Sequence, residues 1–226
     1  MNNHQVIEAK GLNQFYAKVY GIFGLGLGIS ALAAFLGANV FLEQTLTFIQ
    51  RFPLGLTGIW ILEIGLVILL SAKAKSNPAL TIAGFIVYSL LNGLVLSITI
   101  LAYGVDNAAK AFVVAATTFL VMSFIGIFTK RDLSGIGRAG ISMLWGVIIA
   151  TIVNIFLQSS AVSYFLDYVI VLIFVGLTAY DNQRIRQVYF ATQGQDNLGF
   201  AAFMALQLYL DFINLFLSLL RIFSRN

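Results

Sequence analysis

The feature that most constrains this chain is a series of long apolar runs separated by short polar breaks. The runs cover roughly residues 19–42, 54–72, 79–103, 111–128, 139–157, 161–180 and 198–220. An α-helix rises about 1.5 Å per residue, so about 20 residues cross the roughly 30 Å of hydrocarbon in a bilayer. Most of the runs reach that length. The breaks are Gln50-Arg51-Phe52-Pro53, Lys73 to Pro78, Tyr103 to Lys110, Lys130 to Arg138, and Thr192 to Asn197. The one near Gln158-Ser159-Ser160 is the weakest, and reading through it leaves six spans instead of seven.

Composition supports the same solvent. Only 10% of the residues are charged and 60% are hydrophobic, whereas a soluble domain carries about 25% charge. Mean hydropathy is +0.93. The runs are continuously apolar, while barrel strands alternate over about ten residues, which argues against a β-barrel. The expected fold is all-α: one polytopic transmembrane bundle of about seven spans over residues 19–226, preceded by a polar tail at 1–18.

The chain has no cysteine, which removes disulfides, thiolate metal sites and cysteine nucleophiles. Its 13 Lys and Arg residues are scattered between apolar runs. No basic face is interleaved with aromatics, so nucleic acid is not an expected partner. Lys10 and Lys18 ahead of an apolar run, with Ala31-Leu32-Ala33 behind, suggest a cleaved leader. The apolar character, however, continues to about Leu42, longer than an ordinary leader core.

The basic residues also predict orientation. Lys10, Lys18, Lys73, Lys75, Lys130, Arg131, Arg138, Arg184 and Arg186 fall on one side, and Arg51, Lys110, Arg221 and Arg225 on the other. The larger set belongs in the cytoplasm. This places the N-terminus inside, the C-terminus outside and an odd number of spans in the cytoplasmic (inner) membrane.

Ionisable groups inside a span need a reason, since an Asp at a helix centre costs ~2.5–3.5 kcal/mol even on an insertion scale. Glu63, Asp181 and Asp211 stand out. Gln207, Asp211, Asn214 and Ser218 are spaced four, three and four residues apart, so they share one face of the last helix. Such a stripe should face the protein interior or a water-filled path. The midpoint of 181 and 211 falls in the polar turn Thr192 to Asn197. An antiparallel hairpin about that turn therefore sets both carboxyls at similar depth. Two close carboxyls in a low-dielectric site do not easily both ionise, so they can share a proton near neutral pH. Once deprotonated they form a hard oxygen site suited to Ca²⁺. The simpler alternatives are that Asp211 only ties helices together and that Asp181 is solvated beside Arg184.

Glu63 lies ten residues before Lys73 on the same run, about 15 Å along the helix, too far to pair directly. Lys73 and Lys75 read as interfacial anchors. Glu63 either finds a hydrogen-bond donor on another helix or lines a pathway, with Lys73, Gln207 and Asn214 as supporting polar groups. Gly24-Leu25-Gly26-Leu27-Gly28 contains a GxxxG pair, the usual mark of close helix packing. No strand precedes it, so it is not a nucleotide loop. Asn92 and Asn154 are expected to bond between helices.

Four motifs taken together resemble the Bax inhibitor (TMBIM) family in its bacterial branch. They are Tyr88-Ser89-Leu90-Leu91-Asn92-Gly93, Phe128-Thr129-Lys130-Arg131-Asp132-Leu133-Ser134, Ala179-Tyr180-Asp181-Asn182-Gln183-Arg184-Ile185 and Leu208-Tyr209-Leu210-Asp211-Phe212-Ile213-Asn214-Leu215-Phe216. The resemblance implies a seven-helix bundle around a central last helix. It also implies a pH-sensitive calcium leak gated by two aspartates, which map onto Asp181 and Asp211 as ion-binding residues. It further implies an acidic and a basic residue on the second span; Glu63 fits the first. Lys73 stands where Arg is expected, and Lys lacks the two-pronged geometry of Arg.

The same resemblance implies the main competing function, a non-catalytic regulator of an ATP-dependent membrane protease, since some bacterial relatives are similar to such modulators; residues 1–18 would then carry the activity. A retinal protein needs a lysine in its last helix, and none follows Lys130. The single histidine, His4, lies in the tail, which leaves no nucleophile with a base. An intramembrane aspartyl protease would use two aspartates and predicts peptide cleavage lost in Asp211→Asn. The expected protein is thus not an enzyme. It needs no cofactor, and its partners are the lipid bilayer, calcium ions and protons.

Overall fold

The computed structural model describes residues 3–192 and 198–225, with side chains from Lys10 onward. Among the described residues there are eight α-helices and no strand: α1 (Asn3–Phe35), α2 (Leu42–Arg51), α3 (Gly55–Lys73), α4 (Pro78–Tyr103), α5 (Val105–Phe128), α6 (Ser134–Leu157), α7 (Ser160–Ala191) and α8 (Leu198–Phe223). All but α2 are long and apolar enough to cross a bilayer, which gives the seven expected spans. Large apolar side chains face outward: Trp60 of α3, Phe124 of α5, and Trp145 and Phe156 of α6 are all exposed. The last helix differs. Its spanning window is 72% buried, against 11–39% for the other six, as expected of a central element.

The structure departs from the sequence reading at several boundaries. Residues 3–18, expected as a polar tail, are helical and continuous with the first span. Residues 42–51, which reach from the end of the first predicted run into the Gln50–Pro53 break, form the amphipathic α2. A π-helical turn, Leu36–Val40, ends the first span before it. α7 runs on to Ala191, well past the predicted 180. The turn expected between α7 and α8 lies outside the described residues at 193–197.

The chain divides into two compact units. One comprises Met1–Ala102 with Val188–Tyr209, the other Tyr103–Gln187 with Leu210–Asn226. In the first, Tyr209 is wholly buried, with Phe85 and Tyr88 packed edge-on against it at 5.5 and 5.7 Å. The GxxxG expectation is corrected here. Gly24 and Gly28 face open space, and the close approach is made by Gly26 between them, where a Cβ would collide with Phe85. In the second unit, Phe112 and Phe119 of α5 each meet Phe212 of α8 at 5.7 Å.

Small residues set the spacing around α7. A Cβ on Gly126 would strike the Ala179 carbonyl, and one on Gly137 would lie 2.6 Å from the Tyr180 ring. Without an aqueous driving force between helices, such close van der Waals packing is what holds α5 and α6 against α7.

Two junctions are fixed by polar side chains. The weak break is real: α6 stops at Leu157, and Gln158 takes a left-handed conformation (φ 50°). Asn154 Nδ2 donates to the Ser159 carbonyl (3.1 Å) and to Ser163 Oγ (2.7 Å), while its Oδ1 accepts from Ser159 N (3.2 Å). Ahead of α6, Asp132 accepts from Ser134 N at 2.9 Å and from Ser134 Oγ at 2.8 Å. Those hydrogen bonds hold its carboxyl below the usual carboxylate value.

Two predictions follow from these contacts. Gly126→Val should destabilise the protein by about 1–3 kcal/mol through overpacking and lower Tm in detergent, whereas Gly28→Ala should leave Tm unchanged. For Asp132 the folded value lies below the unfolded one. Its stabilisation is therefore present above the ordinary carboxylate range and disappears as pH falls through the depressed value. The Tm difference between wild type and Asp132→Asn should accordingly shrink on acidification, and a pH-independent difference would contradict the cap.

Candidate functional site

Four consecutive residues of α7 point in four directions, because each step along an α-helix turns the side chain by about 100°. Asp181 faces α8. Asn182 is fully buried and donates to Ser123 Oγ of α5 (3.0 Å) and to the Thr178 carbonyl (2.7 Å). Gln183 clamps the α5–α6 loop, donating to the Arg131 carbonyl at 2.8 Å and accepting from Leu133 N at 2.9 Å. Arg184 turns to the more exposed side, with Nη1 4.0 Å from Asp181 Oδ1. Asn182 and Gln183 thus lock the rotation of α7 that aims Asp181.

Its partner is Asp211. Both residues are buried, at 7% and 3% exposure, and their side chains interact directly. Two ionised carboxylates in contact repel, so such a pair is most favourable with one proton between them. Asp211 Oδ2 is buried with no hydrogen-bond partner. The hairpin arithmetic of the sequence therefore leads to a contact, with one carboxyl oxygen left over.

The remaining stripe residues divide. Ser218 is buried and accepts from Arg221 Nη2 at 3.0 Å. Asn214 is half-buried, and its amide donates to the Leu210 carbonyl of its own helix at 2.7 Å. Gln207 is half-buried in the part of α8 that belongs to the other unit. Lys73 ends α3 exposed, ten residues from Glu63, in keeping with an anchor.

Glu63 is buried and accepts from Asn92 Nδ2 at 3.3 Å. Asn92 Oδ1 accepts from the Tyr209 hydroxyl (2.9 Å), which lies 2.6 Å from Ser30 Oγ. Ser30 also reaches the Ser89 carbonyl at 2.8 Å. One polar chain thus links α3, α4, α8 and α1, so Asn92 bonds between helices as expected.

Sequence reasoning missed Asp167. It sits within the sixth apolar run, is buried at 4% exposure, and binds Arg221 Nε at 2.6 Å and Arg225 Nη1 at 3.2 Å. Arg225 also lies over the Tyr164 ring, 5.5 Å from its centroid. The available signal was the same hairpin arithmetic, because 167 and 221 mirror each other about almost the same midpoint as 181 and 211. Among the described residues no group of three or more His, Cys, Asp or Glu side chains converges as a metal cage.

The helices and this paired, buried carboxyl site define a polytopic membrane protein with ionisable groups held inside its spans. The chain belongs to the Bax inhibitor family: the family model "Inhibitor of apoptosis-promoting Bax1" matches residues 12–226. It is similar to a membrane protein of Streptococcus pyogenes serotype M1, 45% identical over 228 residues and 100% of both chains. It is also similar to the inner membrane protein YbhL of Escherichia coli K12, 42% identical over 96% of this chain and 93% of that one. YrjE of Lactococcus lactis is 41% identical over 99% and 97%.

Removing the Asp167 carboxylate leaves two guanidinium groups facing a buried position. Asp167→Asn should lower stability by about 1–3 kcal/mol. This is less than for a fully enclosed ion pair, because both arginines are about a third exposed. Thermal unfolding in detergent checks this, with a larger loss in Arg221→Gln than in Arg225→Gln.

Proposed function

We propose that this protein is a pH-sensitive leak pathway for calcium in the bacterial cytoplasmic membrane, with Asp181 and Asp211 as its proton-controlled gate. The observation that carries this reading is the direct approach of two buried carboxyl groups on α7 and α8, with Asp211 Oδ2 buried and without a hydrogen-bond partner. A purely structural polar contact within a membrane is served by any amide or hydroxyl. Two acids are needed only where a proton or a cation is to be exchanged.

The mechanism follows from charge. With one proton between them, the carboxyls attract and hold α7 against α8. Losing that proton removes a charge-assisted hydrogen bond worth about 1.5–3 kcal/mol and leaves two like charges, whose repulsion at an effective dielectric of 20 is about 4 kcal/mol for a separation of ~4 Å, so the contact opens. The Arg184 guanidinium 4.0 Å away offsets part of it. The opened pair presents carboxylate oxygens, including the unpartnered Asp211 Oδ2, to a divalent cation. Ca²⁺ takes 6–8 oxygens, so two carboxylates form a passing site that backbone and water complete. This suits an ion in transit better than one retained. Glu63, bonded to Asn92, is a further acid buried within the spans. The basic-residue count, with the larger set inside, orients the N-terminus to the cytoplasm.

Calcium flux into proteoliposomes, measured from about pH 6 to about pH 8, tests this. Wild-type flux should rise with pH, and Asp181→Asn and Asp211→Asn should each abolish the pH dependence, since Asn cannot titrate. No flux above empty liposomes from folded protein would overturn the channel reading. It would favour the protease regulator, for which deleting residues 1–18 abolishes the effect and Asp211→Asn does not.

A further inference from the structure

The segment between the first two spans forms a site that the carboxyl gate does not use. Thr45 Oγ1 of α2 donates to the Gly37 carbonyl of the π-helical turn at 2.9 Å, docking α2 beside the end of α1. Gly37 also lets that turn approach α4, since a Cβ there would lie 2.7 Å from Ser97 Oγ. α2 is amphipathic: Leu42, Leu46 and Ile49 recur at helical spacing, with Glu43, Thr47, Gln50 and Arg51 between them. A short helix of this kind lies in the plane of the membrane interface.

Beneath α2 is a cavity of about 670 Å³, bordered by Leu32, Leu36, Phe41, Phe48, Leu90 and Leu94. A second, of about 790 Å³, is bordered by Arg51 and Leu54, and Phe48 and Ile59 line both. Each is the size of a small-molecule site, about 300–1,000 Å³.

Their chemistry selects the occupant. Gln44, Thr45 and Ser97 are the polar residues bordering the first cavity, and the two hydroxyls already donate to the Gly37 and Leu94 carbonyls. A water there needs about 2–4 polar partners, and one amide in an otherwise apolar wall falls short of that. Leu32, Phe41, Leu90 and Leu94 are each 45–59% exposed, so in a bilayer the cavity opens sideways onto hydrocarbon. An acyl chain enters it without crossing water. Arg51 is the charged residue bordering either cavity, and a guanidinium is matched to phosphate. We propose that the two grooves hold one anionic diacyl phospholipid, a chain on each side of Phe48 and Ile59 and its phosphate on Arg51.

Native mass spectrometry of the full-length protein, released from nanodiscs of mixed phosphatidylglycerol and phosphatidylcholine, tests this. Wild type should retain a single phosphatidylglycerol. Arg51→Gln should retain it at about fivefold lower occupancy, the attraction one basic side chain has for an anionic lipid surface, and should lose the preference over phosphatidylcholine. Leu94→Trp, which fills the first cavity, should lose the adduct, whereas Phe124→Trp on a different lipid-facing helix should keep it. If Leu94→Trp does not fold, the headgroup preference of Arg51→Gln decides alone. No adduct on wild type, equal retention by wild type and Arg51→Gln, or capture of a free fatty acid in place of a diacyl lipid would each overturn the proposal.

Discussion

A charge in hydrocarbon costs more than any single contact around it returns, and the polar interior of this protein is organised by that cost. Each buried acid of the spans is matched to a different kind of partner. Asp167 has two guanidinium groups, at 2.6 and 3.2 Å. Glu63 has an amide donor, Asn92. Asp181 and Asp211 have each other. The first two arrangements tolerate a fixed charge, because a cation or a donor faces it. The third tolerates it least: Arg184 lies 4.0 Å from Asp181, but two carboxylates in contact repel unless a proton lies between them. That difference is why the proposed gate rests on Asp181 and Asp211 and not on the other two acids.

The carboxyl contact depends on features that carry no charge. Gly126 brings α5 onto the Ala179 carbonyl, and Asn182 fastens α7 to Ser123 of the same helix. Gln183 secures the loop that starts α6. Since Asp181 precedes these residues directly, a small rotation of α7 would break several bonds at once. The α7 side of the site is thereby held in place.

Much of this was legible in the sequence. Bilayer thickness imposes a run length, so the seven spans emerge from counting apolar residues. The Asp181–Asp211 contact emerges because a hairpin pairs positions symmetric about its turn. Asp167 escaped because its run is otherwise continuously apolar, although the same symmetry about the turn aligns it with Arg221. The glycine pair Gly24 and Gly28 misled, since spacing defines a face without saying what it meets, and Gly26 makes the contact instead. α2 went unassigned because its ten residues are too few to span, yet their periodicity is that of an interfacial helix. Contacts such as that of Tyr209 with Asn92 and Ser30 join helices far apart in sequence, where no local pattern records them.

The central claim is that Asp181 and Asp211 hold one proton between them, and infrared spectroscopy reads that proton directly. In purified protein near neutral pH, a protonated-carboxyl C=O stretch should be present in wild type and should diminish as pH is raised. It should be absent from the Asp181→Asn, Asp211→Asn double variant. A spectrum with no protonated carboxyl band at neutral pH, or a band unaffected by the double substitution, would contradict the account.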